Sequence, residues 1–341
     1  MSEYYSEEIV KDTRYRKDYY ESVAKFLDVE KDKAAKERAD YLSPEKYKAD
    51  PEKYRNDLIK QLGFPLTEKR ETPALTEKTF VVKDKNVNIY RMTFEFPDGI
   101  KFYGMFFEQV SDRREKPFVI CLHGGGGTPE IVSSIHLDSG NYNHLLRRIA
   151  DKGANVFAPQ LLLWNTGTYG NDYNREQVDG KLRQLGGSVT ALELYLMRGC
   201  IDYFIDKERM NAEKIGVAGL SYGGMYSLFL AAVDERIKAC YSCSWVNDCF
   251  VHSRADWSYF KAQKGFAVAE TAGIIAPRRL VVAMGDKDEL FDSKLTVKEC
   301  EKIQGYYDVF GKSDNFKCVI FGGVHETDKS DEEINFLLKN L

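Results

Sequence analysis

From residue 79 onward, short apolar runs and longer amphipathic ones take turns along the chain. Phe80-Val81-Val82 and the stretch 87–96 alternate polar and apolar positions, as half-buried strands do. Pro97-Asp98-Gly99 predicts a turn, and 101–108 a returning strand, so this pair is expected to be antiparallel and near a sheet edge. Residues 117–122 form a continuous apolar strand that runs into His123 and four glycines. The pattern then predicts helix 142–151, strand 154–158, a polar excursion over 160–186 and helix 188–206. Strand 215–218, helix 225–233, strand 239–244, a mixed stretch 245–277 and strand 279–284 follow. Helix 294–309, strand 316–321 and helix 332–338 complete the chain. Strands alternating with helices imply right-handed crossovers and a mainly parallel sheet covered on both faces.

The first 62 residues read differently. They are dense in Glu, Asp, Lys, Arg and Tyr, with only narrow apolar stripes at helical spacing, such as 20–27. Pro44 and Pro51 each open a new helical turn, and 60–66 reads as a helix end with an exit turn. Such a piece cannot hold a core alone, so it is expected to lie against the main domain or to mediate oligomer contacts. The expected organisation is a charged helical extension over 1–75 and an α/β domain over 76–341, with lid-like insertions at about 160–187 and 245–277.

Composition narrows the function. The 341 residues carry a net charge of −4, which gives no basic face for nucleic acid. No apolar run approaches the ~20 residues of a membrane span, and the polar, acidic N-terminus is unlike a secretory signal. Seven cysteines at irregular spacing argue for free thiols in a reducing compartment, hence the cytoplasm. Cys240 and Cys243 form a C-x-x-C, but the stretch reads as a strand and has no second ligand pair for zinc. Small buried side chains are the expected reading. Neither metal nor organic cofactor is expected.

The chemistry gathers around Gly219-Leu220-Ser221-Tyr222-Gly223, set between an apolar strand and a buried helix. A serine on so tight a turn needs neighbours without side chains, and the helix behind it favours negative charge at the serine oxygen. A serine hydroxyl requires a base to be nucleophilic at neutral pH. Of His123, His136, His144, His252 and His325, the last is the best placed, released by two glycines after the final strand. His144 falls in a predicted helix, and His252 in the mixed stretch could touch substrate. The acid that would orient the imidazole is Asp288, just past strand 279–284 in Gly285-Asp286-Lys287-Asp288-Glu289. Asp286 suits a turn cap, Glu289 stays in reserve, and Asp248 is a rival. The oxyanion donors are expected to be the Tyr222 amide and that of Gly124 or Gly125, with His123 positioning the loop. A nucleotide site is disfavoured, because neither G-x-G-x-x-G nor Gly-Lys-Ser/Thr occurs there. Trp164, Trp245 and Trp257 lie in the two excursions and are expected to line a substrate pocket, together with Tyr169, Tyr173, Phe250, Tyr259 and Phe260.

Over roughly 80–341 these motifs resemble the α/β-hydrolase superfamily, where the order Ser, Asp, His along the chain is the expected one. The nearest resemblance is to the dienelactone-hydrolase-like and acetyl-xylan-esterase-like group. It is carried by His123-Gly-Gly-Gly, the run 206–215, Gly219–Gly224, 232–239, Gly285-Asp-Lys-Asp288 and His325-Glu326. The 62–66 segment behind a charged helical leader is also similar to the bacterial esterase-like branch. The resemblance implies hydrolysis of a carboxylic ester, often an acetyl ester on a carbohydrate, without metal or cofactor. One position departs: dienelactone hydrolases proper use a cysteine nucleophile, where this chain has Ser221. Two further readings stay open, a peptidase or amidase with the same three residues and a non-catalytic binding protein on a hydrolase fold.

Overall fold

The computed structural model describes residues 4–136, 139–163, 173–251 and 254–341. It opens with three helices, α1 (Val10–Tyr41), α2 (Pro44–Ala49) and α3 (Pro51–Leu62). As the sequence predicts, Pro44 and Pro51 each sit at the first turn of a new helix. Ser43 and Asp50 cap those helices through their side chains. Tyr47, Tyr54, Leu58 and Leu62 are buried in the main core, and the Tyr47 hydroxyl donates to the carbonyl of Ile274 at 2.6 Å. The second half of this segment is therefore packed as an integral part of the molecule.

Three antiparallel strands follow, β1 (Ala74–Asp84), β2 (Val87–Glu95) and β3 (Lys101–Gln109). Then come β4 (Phe118–Leu122), α4 (Pro129–Val132), α5 (Leu145–Asp151), β5 (Asn155–Pro159), α6 (Arg175–Gln184) and α7 (Val189–Asp206). The serine region is β6 (Ile215–Leu220) and α8 (Tyr222–Val233), followed by β7 (Ile237–Cys243), α9 (Ala262–Gly265) and α10 (Val268–Gly273). The chain ends with β8 (Arg279–Gly285), α11 (Ser293–Val309), β9 (Phe316–Phe321) and α12 (Glu332–Leu338).

Among the described residues, nine strands join one sheet in the order β1-β2-β3-β5-β4-β6-β7-β8-β9. Strands β4 to β9 run parallel to one another, while β3 meets β5 antiparallel and leads out to the hairpin edge. The continuous apolar character of β4, β6 and β8 has a direct cause. Phe118, Ile120 and Leu122 point into the core on one face, and Val119 and Cys121 into the core on the other. Helices α7, α8, α10 and α11 cover the first face, and α5 and α12 the second. This mixed sheet, with its parallel centre and helices on both faces, is an α/β-hydrolase fold.

Two expectations shift. The first strand is longer than predicted, beginning at Ala74. Helix α5 begins at Leu145 and not at 142, because Asn143 and His144 take left-handed φ values of 45° and 56°. His144 thus precedes the helix, held by Ser134 Oγ at 2.8 Å. Cys240 and Cys243 are buried free thiols on β7, as the sequence reading expects. Among the described residues, no helix is long and apolar enough to cross a membrane.

Candidate active site

Parallel strands put their carboxyl ends on one edge of the sheet, and the loops leaving β4, β6, β8 and β9 meet there. Ser221 occupies the turn between β6 and α8 with φ 60° and ψ −122°. A non-glycine residue pays roughly 1–3 kcal/mol for such backbone geometry. The neighbours explain why it persists. A Cβ on Gly219 would stand 2.4 Å from the Gly223 carbonyl, and one on Gly223 would stand 2.1 Å from the Leu122 oxygen. Only bare backbone lets the helix start this close to β4 and β6. The Ser221 amide is held by the Cys243 carbonyl at 2.8 Å, and α8 starts at the next residue. Its amino-terminal dipole therefore points at the serine.

His325 and Ser221 line the same cavity, about 420 Å³ in volume, together with Gly124, Gly125, Gly126 and Leu290. His325 Nδ1 lies 2.8 Å from Asp288 Oδ2. A carboxylate can only accept, so Nδ1 carries the proton and Nε2 is left as the basic nitrogen. The Asp288 side chain is fully buried, and its other oxygen accepts from the Leu290 and Phe291 amides at 2.9 and 3.1 Å. Burial pushes this carboxyl up, but His325 and the Leu290 amide outweigh it and hold the carboxyl below its ordinary value. The other acids have different work. Asp286 accepts from the Gly323 amide at 3.0 Å and ties the loops after β8 and β9 together. Glu289 accepts from the His325 amide at 3.3 Å, and Asp248 is paired with Lys31 of α1 at 2.6 Å.

The loop after β4 is pinned from both sides. His123 is fully buried, with Nδ1 donating to the Gly124 carbonyl at 2.9 Å and Nε2 accepting from the Leu161 amide at 2.9 Å. Burial lowers its pKa to about 4, so the ring is neutral and able to make both bonds. The Gly124 amide donates to the Tyr142 hydroxyl at 2.7 Å. Of the two glycines expected as oxyanion donors, Gly124 thus has its amide engaged, and both line the cavity. Tyr142, Asn141 and Ile131 also line the cavity without having stood out in the sequence, as does His136, one of the five histidines weighed there. Asn141 Nδ2 donates to the His325 carbonyl at 3.0 Å. These residues and Leu290 come from short, separate pieces, Ile131 from the one-turn α4, Asn141 and Tyr142 from the connection to α5 and Leu290 from the loop after β8, so no periodicity marks them.

Of the tryptophans expected to line the substrate pocket, neither Trp245 nor Trp257 is among the residues that line the Ser221 cavity. Trp245 is 2% exposed and belongs to the core, its ring 5.0 Å from that of Trp257 and 6.1 Å from that of Phe291. Trp257 lines a different cavity, about 360 Å³, between α1 and the 249–264 segment. Trp164, Tyr169 and His252 lie outside the described residues. Tyr173 and Tyr259 spend their hydroxyls on the carbonyls of Leu163 and Phe266. Phe250 lines the second cavity, and Phe260 is exposed. Packing across the sheet edge turns these rings, and residue type alone does not encode it. Phe291, which the sequence did not flag, sets its ring 5.9 Å from that of His325, tilted by 38°.

Beneath the serine sits a buried ionic centre. Arg175 of α6 pairs with Glu193 of α7 at 3.2 Å and Asp256 at 2.7 Å, and donates to the Tyr226 hydroxyl at 2.7 Å. The Tyr222 hydroxyl donates to Asp256 at 2.7 Å. Both excursions are thereby fastened to the first turns of α8. Removing one partner from such a cluster leaves an unpaired buried charge, which costs about 3–5 kcal/mol.

Fold and loop placement define the class as an α/β-hydrolase fold, and comparison with known proteins agrees. No family model matches the chain. YtaP of Bacillus subtilis (strain 168), assigned as a hydrolase, is 26% identical over 142 residues, 39% of this chain and 48% of that protein. The chain thus matches about half the length of this relative. A protein of Bacteroides fragilis NCTC 9343, assigned as an acetyl xylan esterase, superposes with a TM-score of 0.66 at 14% identity, covering 87% of this chain and 84% of the other. The glucuronoyl esterase of Solibacter usitatus gives 0.65 at 12% identity, covering 88% and 94%. Acetyl xylan esterase 1 of Thermoanaerobacterium sp. JW/SL YS485 gives 0.54 at 18%, covering 91% and 98%. These structural neighbours are carboxylic ester hydrolases; at such identities they establish the shared fold.

Proposed function

We propose that this protein is a serine hydrolase of small carboxylic esters, its substrate an ester carried on a carbohydrate, an acetyl ester foremost. The observation that carries the reading is Ser221 at positive φ, sharing a cavity with a histidine whose Nδ1 is held by a buried carboxylate. In this mechanism His325 Nε2 takes the Ser221 proton as Oγ attacks the acyl carbon. Asp288 stabilises the imidazolium that forms. The Tyr222 and Gly125 amides receive the oxyanion. The leaving alkoxide takes the proton from His325, and water, activated by the same nitrogen, releases the acid and frees Ser221. The neighbours named for acetyl xylan and glucuronoyl esters support a carbohydrate substrate. The cavity supports it too, since His136 and Asn141 bring polar groups to its wall.

Turnover of an aryl acetate and of an acetylated sugar, in wild type and Ser221→Ala, tests this. The expected result is a fall of at least ~10⁴-fold with the fold intact. Full turnover in the variant would refute it. The matching anilide in the same assay separates an esterase from an amidase, and the reading expects the ester alone to be cleaved.

A further inference from the structure

Helix α1 is 32 residues long, yet only its second half touches the rest of the molecule. Every described side chain from Tyr4 to Ser22 is exposed. From Val23 on, one face turns inward: Val23, Glu30 and Lys31 are half-buried, Ala34 is buried, and Arg38 pairs with Glu270 at 2.9 Å. At ~1.5 Å per residue, roughly 20 Å of helix stands clear of its own domain. A bare single helix of this length is marginal in water, and tertiary packing ordinarily supports it.

The bare helix carries a second stripe, set apart from the face that docks. Tyr15, Tyr19, Ser22, Phe26 and Val29 follow one another at spacings of four, three, four and three, the seam of a coiled coil. Tyr15 is 63% exposed, Tyr19 73%, Phe26 59% and Val29 54%, so four large side chains on this seam face water. Asp18 and Lys25 flank the seam on the side away from the domain.

We propose that the seam is an interface with a second copy of this chain, the two α1 helices crossing antiparallel about a twofold axis near residues 20–21. In that register Tyr15 faces Phe26 of the second copy and Tyr19 faces its Ser22, and each contact occurs twice. Asp18 of one chain meets Lys25 of the other, again twice, so the flanking charges complement themselves. The same register places each domain beside the bare first half of the other helix. There Ile9 and Tyr20, 68% and 75% exposed, continue the line of the docked face. A parallel pair would bring both domains to one level and leave Ile9 and Tyr20 of both helices uncovered. The proposal rests on α1 alone and is independent of the ester chemistry.

Sedimentation or light scattering of the full-length chain over a dilution series tests it. The expected mass is about twice 39.1 kDa at the high end, falling to one chain on dilution. Phe26→Glu is expected to give one chain throughout, with the rest of the molecule folded as near-ultraviolet circular dichroism reads it. Asp18→Lys and Lys25→Asp are each expected to weaken the dimer by about tenfold, and the double reversal to restore it, because it rebuilds the same pairs in the opposite sense. A single-chain mass at all concentrations up to about 100 μM would overturn the proposal. So would a dimer indifferent to Phe26→Glu, or a double reversal that fails to restore association.

Discussion

The site has two unlike flanks. On one, the loops after β4, β6 and β9 deliver Gly125, Ser221 and His325 to one cavity, and the loop after β8 sets Asp288 against His325. On the other, the segment after β7 carries Trp245 and Trp257, which turn into the core and into a separate cavity. The first flank is fixed by close backbone approach: Gly219 and Gly223 leave no room for a Cβ, and the chain has one way through. The second is fixed by side-chain packing among elements far apart in sequence, with Trp245 touching Tyr222, Trp257 and Phe291. Constraints of the first kind are written locally. Those of the second kind are not.

Mutations on the two flanks should behave differently. Asp288→Asn should lower kcat for an aryl acetate by ~10⁴-fold, since the amide favours the wrong imidazole tautomer while the fold survives. A loss under tenfold would mean that another acid orients His325. Trp245→Ala should cost about 3–5 kcal/mol in denaturant unfolding, as an aromatic lost from a core does, and leave KM unchanged for a short acyl ester. A large rise in KM with little loss of stability would return Trp245 to the substrate pocket.

Gly223→Ala should destabilise by about 3 kcal/mol or more, because its Cβ would meet the Leu122 carbonyl at 2.1 Å. Unfolding midpoints near wild type would show that the turn can relax.

His123 gives a pH-dependent test of the same flank. Its folded pKa of about 4 lies below the roughly 6.5 of an unfolded histidine. The unfolded chain therefore takes up a proton that the native site refuses. The contribution is fully present above about pH 6.5 and is lost as pH falls toward 4, amounting to roughly 3 kcal/mol. Wild type should lose stability over that window, and His123→Gln should show a shallower slope there. The smallest effect belongs to Trp257→Ala, where KM for a short ester should change less than about twofold.

Much of this molecule is legible in its residues. Alternation at 87–96, continuous apolar runs at 118–122 and 279–284, and prolines at 44 and 51 each mark an element through a local rule. Ser221, Asp288 and His325 are legible because each follows a strand, and a parallel sheet brings strand ends together. Tyr142 is not, because its role comes from one hydrogen bond to Gly124, 18 positions away along the chain. The buried Arg175 centre is not legible either: an arginine beside Asn174 and Glu176 looks like a solvated helix start. The bare half of α1 reads as a solvated helix, and only the exposure of Tyr15, Tyr19 and Phe26 shows what it leaves uncovered.

The central claim is that Ser221 is an activated nucleophile. Labelling with a fluorophosphonate, read by intact mass, tests it most directly, with Ser221→Ala treated alongside. The account predicts a single adduct on the wild-type chain and none on the variant. Folded wild-type protein that stays unlabelled, or a variant that labels equally well, would contradict it.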